Sequence, residues 1–323
     1  MRYLITGGAG FIGSNFVRGI LEGRWGVEAT SVKVLDSFTY AGRMENFGAC
    51  VDDSRLEVIR GSVTDSVVVE DSVKDADVIV HFAAESHVDR SITSARSFVE
   101  TNVSGTQVLL DVMRGKPAAR FLHVSTDEVY GSVPSGSSTE ADLLQPNSPY
   151  SASKASSDLM VRAYVQTFGV DAVITRCSNN FGPFQYPEKL IPRFVTNLMR
   201  GRQVPVYGTG SNVRDWLHVD DHCQGIVLAI SRGRSGEIYN IGGGTELDNL
   251  SITRMIIAAM GKSEDVIDYV PDRLGHDLRY SVDWSKAHHE LGYAPSKSLE
   301  SELPSLIDWY SNNQSWWEPL VND

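Results

Sequence analysis

The amino-acid sequence predicts an α/β fold, with a doubly wound parallel sheet and a smaller, loop-rich second domain. Short apolar runs alternate with helix-compatible stretches through the first two thirds of the 323 residues. Such alternation is typical of parallel strands joined by crossover helices. After about residue 177 the pattern becomes irregular, with clusters of Gly and Pro that mark turns. The length also favours two domains, at about 150 residues each.

Six segments are predicted as strands because they are short and mostly apolar, as strands covered on both faces are. They are Tyr3–Thr6, Val32–Asp36, Leu56–Arg60, Val78–Phe82, Arg120–Ser125 and Ala172–Arg176. The main helix-compatible stretches between them are Phe11–Leu21, Ser97–Met113 and Tyr150–Phe168.

The composition excludes several classes of protein. Lys and Arg total 29 against 41 Asp and Glu, a net charge of −12, which argues against a broad surface for nucleic acid or an anionic membrane. Three cysteines without a CxxC pattern argue against a disulfide framework and favour a reducing compartment. No run approaches the roughly 18 apolar residues of a membrane span. We therefore expect a soluble, cytoplasmic protein.

A glycine-rich turn follows the first predicted strand and opens a helix. Gly7 suits the tight turn, Gly10 lets a pyrophosphate approach the backbone, and Gly13 allows close helix packing. Such a turn alone is weak evidence, but Asp36 ends the second strand near the spacing expected of a ribose-binding carboxylate. The pattern predicts a Rossmann-type domain. Asp36 would repel a 2′-phosphate and favour NAD over NADP. Arg43, further along the chain, could reduce that preference for NAD.

Tyr150 and Lys154 stand four residues apart at a predicted helix start, so their side chains share one helix face. A cation beside a phenol favours the phenolate, which can take a proton from a hydroxyl as hydride leaves. A surface helix is the plainer explanation of such a pair. Its position after a Rossmann-type half and after Thr126 favours a catalytic role.

Asp127 and Glu128 follow Thr126 at the end of a predicted strand, where doubly wound folds place their active sites. The pair suits a general acid and a general base acting on neighbouring carbons. Successive strand residues face opposite ways, so the backbone must leave strand geometry here if both are to point into one cleft. A solvated turn is the alternative explanation.

Taken together, these motifs resemble the extended short-chain dehydrogenases/reductases, and within them the dTDP-glucose 4,6-dehydratases. The resemblance covers nearly the whole chain. The matching runs are Thr6-Gly-Gly-Ala-Gly-Phe-Ile-Gly-Ser14, Ala83-Ala-Glu-Ser-His-Val-Asp-Arg-Ser91, Glu100-Thr-Asn-Val-Ser-Gly-Thr106, Ser125-Thr-Asp-Glu-Val-Tyr-Gly131, Tyr150-Ser-Ala-Ser-Lys154, Arg176-Cys-Ser-Asn-Asn-Phe-Gly-Pro183, Pro187-Glu-Lys-Leu-Ile-Pro192, Arg214-Asp-Trp-Leu-His-Val-Asp-Asp-His222 and Asp272-Arg-Leu-Gly-His-Asp-Leu-Arg-Tyr280. The Thr-Asp-Glu, Pro-Glu-Lys-Leu and Arg-Asp-Trp-Leu runs are those that narrow the resemblance to the dehydratases.

The resemblance implies an NAD-dependent hydro-lyase of deoxysugar biosynthesis that converts dTDP-glucose to dTDP-4-keto-6-deoxyglucose and water. It implies that Tyr150, with Thr126 and Lys154, deprotonates the C4 hydroxyl during oxidation. Glu128 would remove the C5 proton, and Asp127 would protonate the departing C6 hydroxyl. Adjacent carboxyls in opposite protonation states require environments that push their pKa values apart.

The resemblance also implies the binding residues. The expected NAD contacts are Gly7, Gly10, Phe11, Ile12, Gly13, Asp36, Ser37, Thr39, Ser62, Val63, Ala83, Ala84, Ser86, Thr101, Tyr150, Lys154 and Asn179. The expected substrate contacts are Ser86, His87, Thr126, Asn180, Lys189, Leu190, Pro205, Tyr207, Arg214, Asn249, Arg273 and His276. Ser62 departs from the family, which has Asp there for the adenine amine, so we expect weaker or altered adenine recognition.

We expect an NAD-binding Rossmann domain over 1–176 plus about 213–240, and a loop-rich α/β substrate domain over about 177–212 plus 241–323. We expect a homodimer paired through the helices Ser97–Met113 and Tyr150–Phe168. His218, Asp220, Asp221, His222 and Cys223 include zinc-type ligands, but their spacing matches no zinc motif, so we expect no metal site. A helix cap by Asp220 or Asp221 is the better explanation.

Two other functions fit parts of the sequence. A nucleotide-sugar 4-epimerase on the same scaffold needs Tyr150 and Lys154 but no acid–base pair beside Thr126. A non-catalytic NAD-binding module needs none of these side chains. Asp127 and Glu128 are therefore the residues that favour the dehydratase.

Overall fold

A computed structural model describes residues 1–321 of the chain. Its strands are β1 Arg2–Thr6, β2 Ser31–Asp36, β3 Leu56–Arg60, β4 Val78–His81, β5 Arg120–Thr126, β6 Ala172–Cys177, β7 Asn179–Phe181, β8 Val204–Tyr207, β9 Val213–His218, β10 Ile238–Ile241, β11 Glu246–Asp248 and β12 Ile267–Val270. Its helices are α1 Phe11–Glu22, α2 Ser66–Val73, α3 Val88–Thr93, α4 Arg96–Phe98, α5 Thr106–Met113, α6 Pro149–Phe168, α7 Leu190–Met199, α8 Val219–Arg232, α9 Asn249–Ala259, α10 Ser285–Leu291, α11 Leu299–Asn312 and α12 Gln314–Trp317.

Seven strands form one sheet in the order β10-β6-β5-β4-β1-β2-β3, and each pair is parallel. The six strands predicted from the sequence are all in it, which confirms the α/β fold class. Alternate side chains of a strand supply two cores, because they point to opposite faces. Tyr3 and Ile5 pack with α1, α8 and α10 on one face, whereas Leu4 packs with α2, α5 and α6 on the other.

The predicted helix Ser97–Met113 is not uniform. A π-helical segment, Val99–Gly105, lies between α4 and α5. Within it the buried Asn102 bonds the backbone of Glu85 in both directions and donates to the hydroxyl of Ser153 on α6. These contacts come from distant parts of the chain, and π-helical turns are frequent at functional sites.

The second unit is built from two small sheets and the C-terminal helices. The strands β11, β9 and β7 form one sheet, and β12 pairs with β8 in the other. A separate hydrophobic core joins α7, α9 and α11, with Trp316 and Trp317 buried and Trp309 packed against them. These tryptophans therefore serve packing.

The division into an NAD-binding and a substrate unit stays a prediction, with details that the sheet pairings add. Within 213–240, α8 and β10 join the large sheet, but β9 pairs with β7 and β11. Helix α10, far beyond residue 241, packs beside α8 on the large sheet. Residues 322 and 323 of the second predicted domain lie outside the described residues.

Candidate active site

A cavity of about 330 Å³ lies at the carboxyl ends of the large sheet's strands. Every residue predicted to contact the cofactor lines it, from Gly7 in the first turn to Asn179 in β7. So do the five predicted catalytic residues, which are Thr126, Asp127, Glu128, Tyr150 and Lys154. Elements far apart in sequence thus converge on one cleft.

The glycine-rich turn leaves no room for side chains at two of its positions. A Cβ at Gly7 would lie 2.5 Å from the amide nitrogen of Ala83, and φ there is +67°. A Cβ at Gly13 would lie 2.4 Å from the carbonyl oxygen of Gly7. Helix α1 begins at Phe11, so its N-terminal amides and dipole face the cavity. This backbone is suited to a pyrophosphate.

Asp36 connects the end of β2 to the same turn. Its carboxylate accepts hydrogen bonds from the amides of Ala9 at 2.9 Å and Phe38 at 2.8 Å. Burial nevertheless raises the pKa of the carboxyl above its ordinary value. A carboxylate oxygen has more than one lone pair, so both oxygens can still accept from ribose hydroxyls. Beyond it, the hydroxyl of Ser62 lies 2.8 Å from that of Thr64 and borders the cavity.

The carboxyl pair is brought together because β5 ends at Thr126 and a 3₁₀ helix, Asp127–Tyr130, begins at once. The backbone thus leaves strand geometry before Asp127, and both carboxyl residues line the cavity. The hydroxyl of Thr126 donates to Asp127 Oδ1 at 3.2 Å and accepts from the amide of Glu128 at 3.3 Å.

The surroundings of Asp127 and Glu128 affect the pKa values of the two carboxyls differently. Burial, then the negative charges of Glu128 and Asp215, raise the pKa of Asp127 well above its ordinary value. Burial also raises the pKa of Glu128, but the cations of Arg273, Arg214 and Lys189 oppose that shift. The site therefore favours a proton on Asp127 and tolerates a charge on Glu128.

Tyr150 and Lys154 lie in the first turns of α6, which starts at a capping box of Ser148 and Ser151. The Lys154 ammonium donates to the carbonyl of Val124 at 2.8 Å, and burial lowers its pKa to about 8. The sequence predicts a lowered pKa for Tyr150, which is wrong for this structure. Burial and the carboxylates of Glu128 and Asp127 raise it, whereas the Thr126 hydroxyl opposes the rise.

The predicted substrate contacts fall into two groups. Ser86, Thr126, Asn180 and Lys189 line the cavity, whereas His87, Leu190, Pro205, Tyr207, Arg214, Asn249, Arg273 and His276 do not. Several of the second group form one connected cluster. Asp89 accepts from the Tyr207 hydroxyl at 3.3 Å and lies 3.6 Å from the Arg273 guanidinium. The His276 and Tyr207 rings are in edge contact at 6.3 Å.

Sequence reasoning missed two residues beside this cluster. Glu188, which lines the cavity, accepts from Tyr40 at 2.8 Å and lies 3.5 Å from His87. Tyr280 is buried, with its hydroxyl 3.5 Å from Glu128 Oε2. Both stand inside motif runs quoted above, so their positions in those runs were the available signal.

The His- and Asp-rich run at the start of α8 serves structural roles. The ring of His218 accepts from the amide of Asp220 and caps the helix, so the predicted cap by an aspartate is wrong. Asp221 instead accepts from the amides of Ser296 and Lys297, each at 2.9 Å. Within residues 1–321 no group of three or more His, Cys, Asp or Glu side chains is arranged to hold a metal ion. Nor is any helix of that range long and apolar enough to cross a membrane.

A doubly wound sheet with a glycine-rich first turn, a Tyr–Lys pair on a helix and a hydroxyl at the end of β5 defines the class of extended short-chain dehydrogenases/reductases. A family model described as GDP-mannose 4,6 dehydratase matches residues 4–305. The dTDP-glucose 4,6-dehydratase of Streptomyces niveus is 53% identical over 99% of this chain and 96% of its own. The chain belongs to the dTDP-glucose 4,6-dehydratase family of that class.

Solved structures agree in fold. The dTDP-glucose 4,6-dehydratase of Streptomyces venezuelae, with NAD and TYD bound, superimposes with a TM-score of 0.98 at 54% identity, covering 99% of this chain and 100% of that one. The UDP-glucuronic acid 4-epimerase of Bacillus cereus, with UDP-glucuronic acid and NAD, gives 0.90 at 29% identity over 97% and 99%. The fold is thus shared by dehydratases and epimerases, and the site must distinguish them.

Proposed function

We propose that the protein is an NAD-dependent hydro-lyase that converts dTDP-glucose to dTDP-4-keto-6-deoxyglucose and water. The observation that carries this function is the placement of Asp127 and Glu128 in the same cavity as Tyr150 and Lys154. A 4-epimerase has no step that requires this acid–base pair, whereas an elimination requires both members.

The cavity suits NAD on structural grounds. The turn at Gly7 and Gly13 presents bare backbone to a pyrophosphate, and Asp36 offers carboxylate oxygens to ribose hydroxyls while repelling a 2′-phosphate. When bound, NAD supplies the redox chemistry, taking a hydride from C4 of the sugar and returning it to C6, so no external oxidant is consumed.

The chain's own residues move the protons. Tyr150, beside the Thr126 hydroxyl, takes the proton of the C4 hydroxyl as a phenolate. It would ionise when the positive charge of a bound oxidised nicotinamide offsets the burial that raises its pKa. Glu128 removes the C5 proton, which a ketone at C4 acidifies. Asp127 gives its proton to the C6 hydroxyl, which leaves as water. Glu128 exchanges its proton with solvent and then protonates C5. Each such general acid–base step contributes about 10²–10⁴-fold to the rate.

The substrate diphosphate needs local cations in an acidic protein. Arg214, Arg273 and Lys189 all act electrostatically on Glu128. Positive charge therefore lies close to Glu128, where the sugar would react. Arginine can grip phosphate oxygens through two parallel bonds. We assign the diphosphate to this side, with His276 and Tyr207 as its further contacts.

The decisive experiment runs dTDP-glucose deuterated at C4 in ordinary water and unlabelled dTDP-glucose in deuterated water, and follows both products by mass spectrometry and NMR. Loss of one water, migration of deuterium from C4 to C6, and solvent hydrogen at C5 are expected. Asp127→Asn should abolish water loss, whereas the exposed control Asp268→Asn should not. A product that retains its C6 hydroxyl would establish the epimerase, and no turnover of any nucleotide glucose would establish a binding module.

Cofactor choice has its own measurement. Calorimetric titration should show tighter binding of NAD than of NADP, and Asp36→Asn should narrow the difference. Equal affinities in the unaltered protein would refute the role of Asp36.

We also infer a cytoplasmic homodimer. The helices α3 to α6 expose large apolar side chains on their outer surface, with 51% of Val99 and 54% of Leu159 accessible. Large apolar side chains left accessible on neighbouring elements are a feature of protein interfaces. A second copy of the chain, presenting the same helices, would cover it by two-fold symmetry. The three buried free cysteines, Cys50, Cys177 and Cys223, suit a reducing compartment.

A further inference from the structure

Tyr280 is buried at the side of the carboxyl pair, on the segment that follows β12. Only 4% of it is accessible. Its hydroxyl donates to Asp277 Oδ2 at 2.7 Å and lies 3.5 Å from Glu128 Oε2. A phenol has a single proton to donate, so it can serve only one of the two carboxylates at a time.

Tyr280 is held firmly from two sides. The Arg214 guanidinium stacks over its ring at 4.3 Å from the centroid. Asp277 is itself fixed, because its other oxygen accepts from Asn147 at 2.6 Å and its carbonyl accepts from Arg214 at 3.0 Å. Asn147 immediately precedes the cap of α6, the helix that carries Tyr150. Hydrogen bonds therefore connect the start of α6 to the Tyr280 hydroxyl, which lies 3.5 Å from Glu128 Oε2.

We propose that Tyr280 is a positioning residue for Glu128, with a hydroxyl that Asp277 and Glu128 share. When Glu128 carries a proton, the hydroxyl donates to Asp277. When Glu128 is ionised, rotation about the phenolic C–O bond turns the donor toward it and stabilises the charge. The proposal rests on the proposed function, in which Glu128 must be ionised to remove the C5 proton.

Other charged and titratable groups face Glu128 from every element packed around it, and the proposal concerns only what the hydroxyl adds. They are Asp127, Tyr150, Lys189, Arg214, Arg273 and Asp277. The three cations favour the ionised carboxylate, whereas the charge of Asp277 disfavours it. The Tyr280 hydroxyl is a neutral donor that can rotate toward Glu128 when Glu128 is ionised. Its hydrogen bond would then offset the repulsion between the charges of Glu128 and Asp277.

The first test measures the pH dependence of solvent deuterium incorporation at C5 in the NAD-loaded enzyme with dTDP-glucose. Tyr280→Phe removes the donor, so the pKa of Glu128 should rise. The low-pH side of the exchange-rate profile, the acidic limb, should therefore shift to higher pH by about one unit. C5 exchange should slow about tenfold at neutral pH, and KM should change little. Tyr269→Phe, a matched change at a tyrosine that is 56% accessible, should leave the profile unmoved.

The second test uses a change of opposite sign. Asp277→Asn removes a negative charge and frees the hydroxyl for Glu128, so the acidic limb should move to lower pH. Urea unfolding of both variants checks that they are folded. The double variant Tyr280→Phe/Asp277→Asn separates the hydroxyl from the charge, because its acidic limb should lie at higher pH than that of Asp277→Asn alone. Unmoved limbs, or shifts in the same direction, would overturn the role of Tyr280. Failure of the unaltered enzyme to lose water from dTDP-glucose would instead overturn the proposed function.

Discussion

The buried ion pair between Asp158 on α6 and Arg176 on β6 allows a stability prediction. Its atoms lie 2.8 Å apart, and the two side chains are 2% and 3% exposed. Asp158→Asn keeps the shape of the side chain but leaves the Arg176 guanidinium without a counter-charge in the protein interior. We expect the free energy of unfolding to fall by about 3–5 kcal/mol.

The neighbouring pair of Arg120 and Asp171 is the matched control. It is equally close, at 3.0 Å, but its side chains are 24% and 33% exposed. Solvent screens such a pair, so Asp171→Asn should cost less than about 1 kcal/mol. The double variant Asp158→Asn/Arg176→Met removes both buried charges and should recover most of the loss, because an uncompensated charge, rather than a missing attraction, is what destabilises.

Urea denaturation followed by circular dichroism measures these four proteins and the single variant Arg176→Met. We expect a large loss for Asp158→Asn, a small one for Asp171→Asn and a positive coupling between Asp158→Asn and Arg176→Met in the double variant. A loss below about 1 kcal/mol for Asp158→Asn, or a double variant as unstable as the sum of its parts, would refute it.

Three further predictions concern the cofactor turn, pH and assembly. Gly13→Ala should lower the urea midpoint and abolish NAD binding by calorimetry, whereas Gly115→Ala, with its nearest contact at an ordinary 3.6 Å, should do neither. Burial lowers the pKa of His222 from 6.5 to about 3 in the folded protein. As the pH falls below about 6.5, this histidine therefore takes up a proton in the unfolded chain but not in the folded one, so the free energy of unfolding should decrease. His222→Asn should flatten that dependence in urea titrations at pH 7 and 5. Leu159→Asp should give monomers in sedimentation velocity, and an unchanged sedimentation coefficient would exclude this helix face from the interface.

The large sheet was predictable because six of its seven strands are short, mostly apolar runs, which are typical of parallel strands covered on both faces. The second unit was less predictable from the sequence, because β7 and β11 have only three residues each, too few to show a strand pattern. Both pair with β9, a contact that forms only in the folded chain. The π-helical turn likewise depends on bonds from Asn102 to Glu85 and Ser153, which no local pattern encodes.

The candidate site divides in the same way. Motif spacing correctly placed Tyr150 and Lys154 on one helix face, because i and i+4 positions always share one. It did not predict that the Lys154 ammonium would bond the carbonyl of Val124, which comes from a different strand. The approach of Tyr280 to Glu128 joins residues 152 positions apart, and such contacts exist only in the folded chain.

The position of β10 beside β6 has a consequence for how the chain is made. Between these two strands lie β7, α7, β8, β9 and α8, so the edge of β6 stays unpaired on a growing chain until residue 241 has emerged. An open edge of buried parallel strand is a template for pairing with other chains. A chain that contains only the N-terminal Rossmann half therefore exposes the unpaired edge of β6, whether it is still being synthesised or is truncated there. A fragment ending at residue 176 should aggregate, whereas chains that extend beyond α10 should remain in solution.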